Sequence, residues 1–121
     1  MANRIKGEVD LVAGKDRYVL ALSINEIVAL EDLLDVGILE IAAWFSDAAA
    51  VRAGRMRAVL WAALQRHHAG TTLEQAGDIM AIAGLGAVVD KLGDAISAAF
   101  PESNPENPQR AAPAGTGGTS S

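Results

Sequence analysis

Two adjacent imidazoles, His67 and His68, are the side chains in this sequence that most invite catalysis or metal binding. Neighbouring helical residues point about 100° apart, so a single helix cannot turn both rings onto one ion. Helical metal sites use i, i+3 or i+4 spacing, and the H-E-x-x-H arrangement is absent. The pair instead reads as closing the C-terminal end of a long helix, where side chains can bond to free carbonyls. Gly84-Leu85-Gly86-Ala87-Val88-Val89 opens like a dinucleotide fingerprint but has Val89 where the third small residue belongs. It also follows a helical pattern and not a strand, so a helix–helix turn is the better reading. Neither a G-x-x-x-x-G-K-[ST] phosphate loop nor a G-x-S-x-G elbow occurs. With no cysteine, thiol nucleophiles, disulfides and thiolate metal sites are excluded.

The charged residues point the same way. Glu31, Asp32 and Asp35 cluster near one helix end, and Glu8 and Asp10 line one face of a strand, as solvated surfaces do. Arg52, Arg55 and Arg57 form the one basic cluster, but aromatic support is thin and the net charge is −5. That balance argues against binding nucleic acid or an anionic membrane surface, and against a DNA-binding regulator. No catalytic residue, metal or cofactor is expected, and the chain reads as a non-enzyme. Partner contact is the remaining chemistry. Trp44-Phe45 and Trp61 supply most of the aromatic content. Phe45 is expected in the core with at least one tryptophan partly exposed. Tryptophan and arginine are enriched at binding hot spots, so Arg57, Trp61 and Trp44 are the candidate partner surface. Trp61 serves equally well as a lid on the core.

These residues must be positioned by a small framework. The chain has 121 residues, half of them hydrophobic, which suits one domain. Residues 3–12 alternate, with Ile5, Val9 and Leu11 opposite Arg4, Lys6, Glu8 and Asp10. A short turn over Ala13-Gly14-Lys15-Asp16 leads to Tyr18, Leu20 and Leu22 on one face. This predicts a β-hairpin over 3–22 that needs a packing partner. Ser23-Ile24-Asn25-Glu26 fits a capping box, opening a helix with Ile27, Leu30 and Leu34 inward and Gly37 as its stop. A short second helix carries Ile38, Ile41, Ala42 and Phe45 on its buried face. The third runs from about Ala49 to His68, with Met56, Leu60, Ala63 and Leu64 as its stripe and Trp61 off it beside Arg57 and Gln65.

A fourth helix starts at one of two overlapping boxes, Thr71 with Glu74 or Thr72 with Gln75, and ends near Ala83. A fifth carries Val88, Val89, Leu92, Ile96 and Phe100 and stops at Pro101. All four prolines lie from 101 onward, and residues 101–121 are expected to be disordered. The fold class is therefore α+β and mostly helical: a hairpin, about five short helices, a folded body over 2–100 and a tail over 101–121. Within the body, the longest stretch without charge is residues 79–89, well short of the roughly 20 apolar residues of a spanning helix. The polar start lacks the apolar run of a signal peptide, which predicts a cytoplasmic protein.

The segments Asn3-Arg4-Ile5-Lys6-Gly7-Glu8-Val9 and Tyr18-Val19-Leu20-Ala21-Leu22 resemble the start of small proteins from gene transfer agents and related prophages. Ser23-Ile24-Asn25-Glu26 through Leu34 is similar to their first helix. Arg57-Ala58-Val59-Leu60-Trp61-Ala62-Ala63-Leu64, followed by His67-His68 and Thr72-Leu73-Glu74-Gln75-Ala76-Gly77, resembles their most distinctive stretch. The resemblance covers roughly residues 3–95. It implies a tail assembly chaperone, described in some cases as a tail tube protein. Such a chaperone would bind the tape measure protein, help to recruit tail tube protein, and be absent from the mature particle. The alternative is a structural tail or tail-tube component. One hairpin beside five helices looks poor in strand for a tube subunit, which weighs toward the chaperone. The resemblance brings no catalytic residues, and it leaves a homo-oligomer open.

Overall fold

The computed structural model describes residues 7–100. The expected N-terminal residues 3–6 of the first strand, and the expected disordered tail over 101–121, lie outside the described residues. Strand β1 (Glu8–Ala13) pairs antiparallel with β2 (Asp16–Ala21), in register from Ala13 opposite Asp16 to Glu8 opposite Ala21. Two residues make the turn. Gly14 adopts φ +64 and Lys15 does not share the positive φ, the type II′ pattern that follows the twist of the strands. Val9, Leu11 and Leu20 are buried on one face. That face packs on α4 (Leu73–Ala83) and α5 (Leu85–Ala99) through β1, and on α3 (Ala53–Leu64) and α5 through β2. A lone hairpin is marginal in water; these helices remove its apolar side from solvent.

Helix α1 (Ile24–Leu34) opens with the capping box read from the sequence. The Glu26 carboxylate accepts from the Ser23 backbone N–H at 3.0 Å and from the Ser23 hydroxyl. Its stop differs from the expected Gly37. Asp35 takes the left-handed conformation (φ 57, ψ 41) and donates its N–H to the Glu31 carbonyl at 2.7 Å. Aspartate tolerates that region better than most residues. Gly37 instead precedes α2 (Ile38–Trp44) as its N-cap. Glu31 is more than a solvated acid: its carboxylate accepts from the Ile38 N–H at 2.8 Å and closes the first turn of α2. This fits the preference of helix N-termini for negative groups.

The long third helix is shorter than its pattern suggests. A 3-10 turn occupies Ala48–Ala50, where the Asp47 carboxylate accepts from the Ala49 N–H at 3.0 Å. Arg52 is extended, and α3 then spans Ala53–Leu64. It is the central element, packed against α1, α4, α5 and β2. Met56, Ala58, Val59, Leu60, Ala62, Ala63 and Leu64 are all buried, so its apolar surface wraps most of the cylinder. The alanines let neighbours approach closely on several sides.

Of the two possible boxes before α4, the second forms. The Thr72 hydroxyl accepts from the Gln75 N–H at 3.0 Å, and the Gln75 side chain accepts from the Thr72 N–H at 2.9 Å. Thr71 turns away, its hydroxyl donating to the His68 carbonyl. A single residue, Gly84, separates α4 from α5. Its φ of +95 with ψ 137 is open to glycine and costly for any other residue. Val88, Leu92 and Ala95 close the core from α5. The architecture is a two-stranded hairpin followed by five helices, as alternation and capping predict.

Candidate functional site

The histidine side chains do not cap a helix, although the His68 backbone N–H donates to the Leu64 carbonyl at the end of α3 at 2.7 Å. Because α3 ends at Leu64, both lie beyond it in the connection to α4, which corrects the expected role. The His68 Nε2 accepts the backbone N–H of Val19 at 3.0 Å, so the ring is neutral with its proton on Nδ1. The His68 and Tyr18 rings meet in a T-shaped contact, 5.3 Å between centroids. Burial, with a smaller contribution from the neighbouring His67, holds the His68 pKa below its ordinary value and favours the neutral form. His67 turns the other way, its Nε2 standing 2.9 Å from the Glu8 carboxylate on β1. Both imidazoles therefore tie the α3–α4 connection to the hairpin. Among the described residues no three His, Asp or Glu side chains group as a metal ion would need.

The three candidate contact residues separate. Trp44 does not belong to an exposed surface: it is 6% exposed, with the Arg55 guanidinium 4.4 Å above its ring. Arg55 also donates to the Ala50 carbonyl at 2.8 Å, so this arginine braces the core edge. The seven-residue α2 buries Ile41 and Trp44, three positions apart, and brings the adjacent Phe45 to its rim. Phe45, expected in the core, is only half-buried. Sequence spacing allowed either choice of inward face.

Arg57 and Trp61 do share a face. On α3 they follow each other at i, i+4 on the solvent side, Arg57 exposed and Trp61 partly exposed. Gln65 continues the line, donating to the carbonyls of Trp61 and Thr71 at 3.0 and 2.9 Å. The Arg57 stem crosses α4 at Gly77, where an added Cβ would stand 3.2 Å from the Arg57 Cδ. Glycine there lets the arginine lie flat across the neighbouring helix with its charge toward water.

A second surface was not foreseen. Helices α2 and α5 leave an open groove of about 610 Å³ between them. Leu39, Phe45, Val89 and Phe100 give it an apolar lining, and Asp90 and Asp94 make it acidic. Leu39 is 80% exposed, more than any other large aliphatic side chain among the described residues. Phe45 reaches across to α5 at Gly93, 3.8 Å from where a Cβ would sit. The signal in the sequence was Leu39 itself, off the inward face of a short helix. Its meaning depends on α5, which lies some fifty residues further along the chain.

Among the described residues no helix is long and apolar enough to cross a membrane. The family model described as phage tail tube protein, GTA-gp10, matches residues 6–102. No curated protein and no solved structure matches the chain. The family description names a tube protein and so overturns the expected assembly chaperone. Scarcity of strands was the wrong criterion: a hairpin with five helices is found in a chain that this family model spans.

Proposed function

The chain belongs to the phage tail tube protein family described as GTA-gp10, and from that membership we propose that it is a structural component of the tail of a gene-transfer-agent or phage-like particle. The observation that carries this reading is the span of the match. Residues 6–102 take in both strands and all five helices, so the likeness belongs to the whole described fold and not to one motif.

The chemistry of the side chains supports a role without catalysis. The groups best suited to proton transfer are engaged in holding the chain together: His68 to Val19, His67 to Glu8, Glu26 to Ser23, and Glu31 to Ile38. Exposed apolar residues, including Leu39 at 80%, Ile24 at 69% and Ile82 at 63%, offer surface to other proteins. The partners this reading implies are further tail proteins and further copies of the chain.

The test is mass spectrometry on purified, finished particles with their tails intact. The expected result is this chain in many copies, retained in the tail fraction after heads and tails are separated. Its absence from finished particles with normal tails would overturn the reading.

A further inference from the structure

We propose that the acidic apolar groove between α2 and α5 of one copy receives the Arg57–Trp61 face of α3 from a second copy. This rests on the tail-component reading and names the contact by which it would be built. Three observations support it.

The first is symmetry. A tail grows by repetition, and a self-complementary patch closes after two copies. An extended or ring-shaped assembly needs two different surfaces that fit each other. The groove is lined from α2 and α5, and the face that Arg57 and Trp61 share lies on α3 beside α4; no residue belongs to both.

The second is charge. Asp90 stands among the groove's lining residues, whereas the α3 face presents Arg57. Complementary potentials orient the encounter and disfavour groove-to-groove pairing, in which acids would oppose acids. The third is shape chemistry. A partly exposed Trp61 is a large, flat apolar group beside a cation, and the groove offers Leu39, Phe45 and Phe100 to cover it. The chain's own residues 101–121 are a poorer occupant. They carry Glu102, Glu106 and a single cation, Arg110, so their net charge matches the groove's in sign.

Charge reversal in the full-length chain tests the contact. The variants are Asp90→Lys, Arg57→Glu and the two combined, each checked for an unchanged circular dichroism spectrum and followed by sedimentation velocity over a concentration series. Wild type should associate with rising concentration, and each single reversal should bind roughly tenfold more weakly. The double variant, and an equal mixture of the two singles, should regain wild-type association. In both, positions 90 and 57 again carry opposite charges across the contact. Added salt should weaken the wild-type contact. Single variants that associate like wild type, a double variant that fails to recover, or a wild type that stays monomeric would each overturn the proposal. So would an Arg110→Glu variant whose association changes while that of Arg57→Glu does not, since the tail would then hold the groove. Finding the chain in finished tails alongside any of these outcomes would remove the docking contact alone. Its absence from particles would remove the tail reading itself.

Discussion

The backbone N–H of Val19 on β2 is bonded to the His68 Nε2, 49 positions further along the chain, at 3.0 Å. Val19 faces Asp10 in the hairpin register, and its outward N–H would otherwise be an open edge donor. The imidazole covers that edge while fastening the α3–α4 connection to the sheet.

Stability should fall on acidification through this contact. The His68 pKa is lowered in the folded chain, by burial first and by His67 second, from 6.5. The unfolded chain therefore takes up a proton at a higher pH than the folded one. The contribution is fully present above pH 6.5, declines as pH drops below that value, and stops changing below the folded pKa. Urea unfolding at pH 7.5 and 5 should show the loss. His68→Ala should lower stability at pH 7.5 by about 1–2 kcal/mol, leaving the Val19 donor unpaired, and should flatten the pH dependence. A slope unchanged by the substitution would assign it to other groups.

Two glycines at the α4–α5 junction should respond with opposite signs. Gly84→Ala forces a side chain into φ +95 and should destabilise by about 1–3 kcal/mol. Gly86, in the first turn of α5, has no neighbour within 4 Å of an added Cβ. Gly86→Ala should raise stability by about 0.5 kcal/mol or more, since alanine loses less backbone freedom in a helix. Thermal melts of the two variants beside wild type check both signs.

Thr72→Ala should cost about 1 kcal/mol by removing the hydroxyl that accepts from the Gln75 N–H. Thr72→Ser keeps that oxygen and should stay within a few tenths of a kcal/mol of wild type. Chemical denaturation of the pair separates a capping effect from lost packing.

Leu60 and Leu39 should divide stability from assembly. Leu60 is fully buried in α3, and Leu60→Ala should cost about 2–5 kcal/mol. Leu39 is 80% exposed, so Leu39→Ala should change stability by less than about 0.5 kcal/mol. The number of intact tails made by cells carrying Leu39→Ala should nonetheless drop. Calorimetry and electron microscopy of particles give the two readouts.

Local patterns carried most of the fold. Alternation placed Val9, Leu11 and Leu20 on the buried face, and the boxes at Ser23 and Thr72 marked helix starts because their partners lie three residues away. What the sequence could not supply was anything decided by distant neighbours. The His68 partner is on β2 and the His67 partner on β1, so both rings looked like helix-end residues. Trp44 and Phe45 are adjacent on α2, and the contacts that distinguish their rings, Arg55 over the one and Gly93 beside the other, come from α3 and α5. Of the proposed contact residues, Arg57 and Trp61 share a face because i, i+4 spacing on one helix is local. The groove joins α2 to α5 and left no comparable trace.

The single-residue joint at Gly84 has an electrical consequence. Its N–H donates to the Met80 carbonyl at 2.8 Å, and its carbonyl accepts from the Val88 N–H at 3.0 Å. The negative pole of the α4 macrodipole thus abuts the positive pole of α5, and the partial charges offset each other. Side-chain charge is not needed to neutralise either end, and none is present: the last turn of α4 has no basic residue and the first turn of α5 no acidic one. Freed from that duty, the junction can show water the uncharged side chains Ile82 and Leu85, exposed at 63% and 43%.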